Sequence, residues 1–175
     1  MSQRPLQNPL PPDVIDNQRE ASDPAKSVWV EANAGSGKTH VLTQRVLRLL
    51  LAGVPPDQIL CLTYTKAAAA EMRRRVGGHL GAWALLSPEK LAEALRDITG
   101  YNASGAEQSR ARTLFAHALD TPGGLRIQTI HAFCESVLHR FPVEAGVPID
   151  FTVLEDHQRE ALVQRAREVV LAGGL

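Results

Sequence analysis

Apolar positions along the chain alternate between short runs and helical spacing, and the order of the two predicts an architecture. Val28-Trp29-Val30 is a brief run of β-branched and aromatic residues, the pattern of a buried strand. Val41, Leu42, Arg45, Val46, Leu49 and Leu50 then alternate in face at helical spacing, and Gly53 with Pro55 ends that helix. Ile59 to Leu62 reads as a second strand. It leads into an alanine-rich helix from about Lys66 to Val76 that stops at Gly77-Gly78. The stretch from about Gly78 to Pro122 looks helical, with one helix over Glu89–Ile98 after Ser87-Pro88 and another over Gly105–Leu119. Leu125 to Gln128 is a third strand candidate, followed by a helix from about Ile130 to Arg140. After a loop punctuated by Pro142 and Pro148 come a short strand, Phe151 to Leu154, and an amphipathic helix, Asp156 to Leu171. Residues 1–12, with Pro5, Pro9, Pro11 and Pro12, read as a loose tail. The repeated order of strand, loop and helix predicts an α/β fold with a parallel sheet.

Composition narrows this only slightly. The chain has 175 residues, 44% hydrophobic and 22% charged, an ordinary globular balance sized for one domain. Its apolar runs are far shorter than the roughly 18 residues a membrane span needs, and the polar start lacks a signal-peptide core. Membrane partners are therefore not expected. Cys61 and Cys134 lie far apart in apolar contexts, as buried free thiols of a cytoplasmic protein do, and no Cys/His spacing of zinc type occurs. Lysines plus arginines equal aspartates plus glutamates at 19 each, so net charge says nothing about nucleic acid. A basic face would come from local clusters such as Arg73-Arg74-Arg75, whose plainer reading for at least two of the three is a solvated helix face.

The segment from Ala32 through Asn33, Ala34, Gly35, Ser36, Gly37 and Lys38 to Thr39 stands between a predicted strand and a predicted helix. That is the setting of a phosphate loop. Its glycines let backbone N–H groups converge on one concavity, and the helix N-terminus adds its positive dipole end there. Lys38 is expected to reach the β- and γ-phosphates of ATP and Thr39 to ligate Mg²⁺. Ala32 departs from the strict pattern, where a glycine stands first.

Two further segments, "LTYTKAAAAEMRRRV" (Leu62 to Val76) and "IQTIHAFCESVLHRFP" (Ile127 to Pro142), follow the second and third strands. Together with the loop they resemble the opening motifs of UvrD/Rep/RecB-like superfamily 1 DNA helicases. Thr63-Tyr64-Thr65 with Glu71-Met72 is similar to the family's motif Ia. Thr129, His131 and Phe133 are similar to its Thr-x-His-x-Phe element. Gln18, twenty residues before Lys38, resembles the glutamine of the Q motif, which reads the adenine edge. Lys66-Ala67 in place of Asn-Lys, the insertion of about 45 residues and the stretch from His131 to Asp156 resemble the AddA subunits of AddAB-type helicase–nucleases.

The resemblance implies a RecA-like P-loop NTPase sheet, an incomplete first lobe over 13–155. It carries a helical insertion at about 78–122, and 156–175 begin a helical subdomain. It implies ATP and Mg²⁺ as cofactors, single-stranded or double-stranded DNA and an AddB-like second subunit as partners, and a role in double-strand-break repair. Tyr64 on a loop after a strand suits base stacking, and Thr63, Thr65 and the following helix N-terminus offer donors to phosphate oxygens. His131 and Phe133 would occupy the matching loop of the next strand–helix unit. Each has a plainer alternative. Tyr64 could be a core aromatic. Phe133 falls with Val137 and Phe141 at i, i+4 and i+8, as core residues do. His131 alone reads as a helix-start histidine.

Turnover asks for more: an acidic pair for Mg²⁺ and water, and arginines for the γ-phosphate. Glu155-Asp156 imitates the acidic pair but in reversed order and at a helix start, where acids are favoured by the dipole. The chain is therefore expected to be the N-terminal portion of a larger ATP-dependent DNA helicase, binding nucleotide without turning it over by itself. An unrelated phosphate-loop kinase is disfavoured by the two DNA-facing segments.

Overall fold

The computed structural model describes residues 11–31, 33, 35, 37–154 and 156–173. The chain divides into two compact units, one ending at Thr129 and the other beginning at Ile130.

In the first unit, α1 (Pro12–Ala21) and α2 (Lys38–Leu51) precede β1 (Leu60–Thr63). Three helices follow, α3 (Lys66–Leu85), α4 (Pro88–Thr99) and α5 (Gly105–Asp120), and then β2 (Arg126–Thr129). The two strands pair in parallel, from Leu60 opposite Arg126 to Thr63 opposite Thr129. Helix starts follow local chemistry. Thr65, Ser87 and Ser104 each accept an N–H of the first turn of α3, α4 and α5, and Ser104 with Glu107 closes a capping box. The core gathers around α3, where Val76, Leu80 and Trp83 are buried with Leu47 and Leu50 of α2, Leu91 and Leu95 of α4, Ala111 of α5 and Ile127 of β2.

Helix α3 does not stop at Gly77-Gly78 as the sequence suggested; it continues to Leu85. Each interior glycine costs a helix about 1 kcal/mol. Burying an apolar side chain of the size of Leu80 or Trp83 returns about 1.5–3 kcal/mol or more, so packing overrides the local signal. Val28 to Val30 form no strand, and Trp29 is 91% exposed. A strand exists through its ladder, and among the described residues β1 and β2 pair only with each other. Val28 and Val30 instead line an open cleft of about 480 Å³ with Val41, Leu42 and Lys38. Pro12, expected in the tail, opens α1, where its missing N–H is not needed.

The second unit holds α6 (Ile130–Arg140), α7 (Pro142–Ala145) and α8 (Asp156–Leu171). Phe151 to Leu154 is not a strand either; the Phe151 ring stacks on that of His139, centroids 4.2 Å apart. Of the two cysteines expected to be buried, Cys134 on α6 is exposed and Cys61 on β1 is half-buried, its thiol pKa raised by burial. Among the described residues no helix is long and apolar enough to cross a membrane.

The arginine run divides as its plainer reading held. All three are exposed; Arg73 reaches from α3 to the carbonyl of Ile127 at 3.2 Å, whereas Arg74 and Arg75 bind Glu71 on their own helix. The Arg74 guanidinium grips both Glu71 oxygens at 2.9 and 2.8 Å, and Arg75 adds a bond of 2.6 Å. Those hydrogen bonds, Arg74's first and Arg75's next, draw the Glu71 carboxyl pKa down from 4.5 to about 2. A depressed folded-state value means that this cluster supports the fold above pH 4.5 and loses that support as pH falls toward 2. We expect a carbon-detected NMR titration of Glu71 to show a midpoint near 2 in the native chain. An ordinary midpoint would mean that the arginine fork does not persist in solution.

Candidate functional site

The site is built on the first turn of α2. Gly35 and Gly37 both have left-handed backbones, φ 82° and 92°, a conformation that side chains disfavour. Gly37 turns the chain directly into α2, and Val41 N–H donates back to its carbonyl at 3.0 Å. Lys38 is the first helical residue, and its ammonium folds back to donate to the carbonyl of Asn33 at 2.7 Å. The cation therefore lies over the loop that precedes its own helix. Thr39 is exposed beside it, and its carbonyl accepts the hydroxyl of buried Thr43 at 2.8 Å. Ala32, Ala34 and Ser36 lie outside the described residues. The described donors comprise a helix N-terminus, an ammonium and a hydroxyl. They suit a polyphosphate and, through the Thr39 hydroxyl, the divalent cation such a ligand carries. Among the described residues no group of three or more His, Cys, Asp or Glu could hold a metal by itself.

Gln18 belongs to the same place. A Cβ added to Gly37 would stand 3.0 Å from Gln18 Nε2, so the amide of α1 lies against the glycine that opens α2. Sequence spacing suggested this pairing, but it did not show what holds α1 there. Two arginines of α2 do so, by donating to main-chain carbonyls at and beyond the end of α1. Neither was anticipated; the only signal was a pair of cations, Arg45 and Arg48, at i and i+3 among the apolar residues of the second half of α2.

At the end of β1, Thr63 and Thr129 stand opposite each other, so both strands finish at one edge of the sheet. The Thr63 hydroxyl donates to the carbonyl of Thr65 at 3.1 Å, while the Thr65 hydroxyl accepts from Ala68 N–H at 3.1 Å and caps α3. These bonds shape a tight corner with Tyr64 at its tip. Tyr64 is 86% exposed, which rules out the core alternative and presents a bare aromatic face. His131, exposed, and Phe133, half-buried, lie in the first turn of α6 and belong to the second unit. Their partners from the sequence pattern, Val137 and Phe141, are 39% and 47% exposed, and α6 buries none of its residues. Glu155 lies outside the described residues, and Asp156 opens α8.

Comparison with known proteins adds to this geometry. The model of the UvrD/REP helicase N-terminal domain matches residues 15–172. The chain is 34% identical over 162 residues to the AddA subunit of the ATP-dependent helicase/nuclease from Lactobacillus helveticus, covering 91% of the chain and 12% of that protein. To the protein of the same name in Lactobacillus gasseri it is 34% identical over 152 residues, covering 85% of the chain and 11% of the relative. To that of Desulforudis audaxviator it is 35% identical over 147 residues, covering 82% and 10%. The chain thus spans about a tenth of the length of these relatives.

Proposed function

Because the chain belongs to the UvrD/REP helicase N-terminal domain family, we propose that it is the ATP-binding and single-stranded-DNA-contacting part of an ATP-dependent DNA helicase of double-strand-break repair. The observation that carries the reading is the turn into α2, where left-handed Gly37 precedes Lys38 and the Lys38 ammonium lies over the loop at Asn33. In this reading residues 32–39 cradle the phosphates of ATP, Lys38 neutralises their charge and Thr39 ligates Mg²⁺, while Gln18 reads the adenine edge. Bound ATP·Mg²⁺ would supply the free energy of movement along DNA. The residues of this chain bind and orient it. Residues 13–155 are assigned to a partial RecA-like lobe with a helical insertion at about 78–122, and 156–175 to the opening of a helical subdomain. The relatives' description as one of the subunits of a helicase/nuclease supports an AddB-type protein as partner, and a DNA helicase of this kind would act in the cytoplasm.

For the 175 residues by themselves we propose binding without turnover. The acidic pair that could orient water, Glu155-Asp156, has the reversed order, and Asp156 opens α8, where acids are favoured by the dipole. Stimulation of ATP hydrolysis by single-stranded DNA in the isolated chain would overturn this second reading.

DNA contact is assigned to Thr63, Tyr64, Thr65, Thr129, His131 and Phe133, with Tyr64 as the stacking platform. A base on an aromatic ring contributes about 1–3 kcal/mol. Tyr64→Ala is therefore expected to weaken binding of an oligothymidylate by about 5- to 150-fold, read by fluorescence anisotropy at fixed salt. Because Tyr64 is exposed and makes no core contact, the melting temperature should stay put. Unchanged anisotropy curves would remove Tyr64 from the DNA path.

A further inference from the structure

Helix α1 carries Gln18, yet none of its ten residues is buried. Burial in the core therefore does not fix its position. Polar contacts from α2 do. Arg48 Nη1 donates to the carbonyl of Arg19 at 2.8 Å and to Ser22 Oγ at 2.9 Å. Ser22, fully buried, donates from that same hydroxyl to the Arg19 carbonyl at 3.0 Å. Arg45 spreads its guanidinium fork across the turn beyond α1, with Nη1 to the carbonyl of Asp23 at 2.6 Å and Nη2 to that of Lys26 at 2.7 Å. Cations at the C-terminal end of a helix also complement its dipole.

Arg45 and Arg48 lie seven and ten residues after Lys38 on the same helix. At 1.5 Å per residue they are about 10 and 15 Å along the axis from the phosphate-binding turn, beyond direct reach of a phosphate held there. They do meet the segment whose upstream turn holds Gln18: Ser22 N–H donates to the carbonyl of Gln18 at 3.0 Å, one helical turn back. We propose that Arg45 and Arg48 are positioning residues for nucleobase recognition, clamping the end of α1 onto α2 so that Gln18 is held at the Gly37 turn. The clamp makes one rigid body of the helix that receives the phosphates and the helix that reads the base. It rests on the reading of residues 32–39 as a nucleotide site.

A fork that spans two carbonyls cannot be replaced by a single ammonium. The charge alone, at 10 Å or more and partly solvated, is largely screened at physiological salt. These two facts separate positioning from simple electrostatics. The experiment displaces a fluorescent ATP analogue from the 175-residue chain with ATP, GTP and inorganic tripolyphosphate, each with Mg²⁺. The native chain should prefer ATP to GTP by about tenfold, the scale of one well-made hydrogen bond. Arg45→Ala with Arg48→Ala should bring that ratio close to one, with tripolyphosphate displaced at nearly native concentration. Adding Gln18→Ala should change nothing more, and Arg45→Lys should not restore the ratio. A native ATP/GTP ratio in the doubly substituted chain overturns the proposal, as does full rescue by lysine.

Hydrogen exchange supplies a readout independent of nucleotide. The paired substitution should raise exchange over residues 14–23 and leave α3 protected; unchanged exchange in α1 also overturns the proposal. If the paired variant unfolds, α3 loses protection too, and Arg45→Lys alone then carries both readouts. Failure of the nucleotide reading looks different: the native chain would bind neither ATP nor tripolyphosphate while α1 still loosened in the variant.

Discussion

Lys38→Ala is expected to weaken ATP·Mg²⁺ binding by at least about a hundredfold while the chain stays folded. The ammonium is the cation carried by the proposed phosphate-binding turn, and it is held over the loop by its 2.7 Å bond to the Asn33 carbonyl. On binding of ATP in the proposed site that bond would be exchanged for contacts to oxygens bearing full negative charge. Hydrogen bonds to charged groups contribute about 1.5–3 kcal/mol each. Loss of two such contacts at the lower end of that range already corresponds to about a hundredfold. Folding should be spared because Lys38 is exposed, whereas the buried face of α2 is formed by Val41, Thr43, Val46, Leu47, Leu50 and Leu51. Isothermal titration calorimetry with ATP and Mg²⁺ checks the first half, and circular dichroism with thermal melting checks the second. Equal affinity in the two proteins would sink the phosphate-loop reading, whatever the family of the chain. Lys38→Arg should recover little, since a broad guanidinium fits poorly in a turn sized by two glycines.

Much of this architecture was legible in the sequence, for reasons that differ from element to element. Helices α4, α5 and α8 were each marked at one end by local chemistry: Ser87 with Pro88 before α4, the turn after Leu119 behind α5, and Gly173 after α8. Strands β1 and β2 each fell within a residue or two of their apolar runs because they find each other in parallel register. Val28 to Val30 has the same composition and no ladder partner among the described residues, and composition alone does not supply one. The C-terminal half of α3 was illegible because two glycines signal a stop locally, while the reason to continue lies in Leu47, Leu91 and Ala111, far away in sequence. The site divides in a similar way. The glycines, Lys38 and Thr39 point to phosphate chemistry by their spacing alone. Gln18 needed the spacing to Lys38, and its contact with the Gly37 turn was visible only in three dimensions. Arg45 and Arg48 left little trace, because their partners are main-chain carbonyls, which every residue has.

The continuation of α3 through its glycines leads to the second large effect. Trp83→Ala is expected to destabilise the first unit by about 3–5 kcal/mol, the range for deleting a buried aromatic side chain. Trp83 is the largest of the fully buried side chains, 1% exposed, and lies in the last turns of α3, beyond the residues at which the helix pattern seemed to end. Its indole packs in the cluster that joins α2, α4 and α5 to α3, with the His79 ring 6.5 Å away at a tilt of 58°. Removing it opens a cavity in the core cluster that close packing leaves only partly able to relax. It also withdraws the burial that offsets the cost of Gly77 and Gly78, so the end of α3 should fray first. For a domain of this size a loss of that order lowers the melting temperature by roughly 10 °C or more. Trp83→Phe, which keeps an aromatic ring, should recover more than half of the loss. Affinity for ATP, measured well below the transition, should stay within about twofold, because the turn at Gly37 and Lys38 lies outside this cluster. The two substitutions thus separate the axes of the protein: Lys38→Ala removes the ligand and keeps the fold, whereas Trp83→Ala weakens the fold and keeps the ligand. A melting temperature within about 2 °C of native for Trp83→Ala would mean that α3 ends near its glycines after all, with Trp83 outside the core.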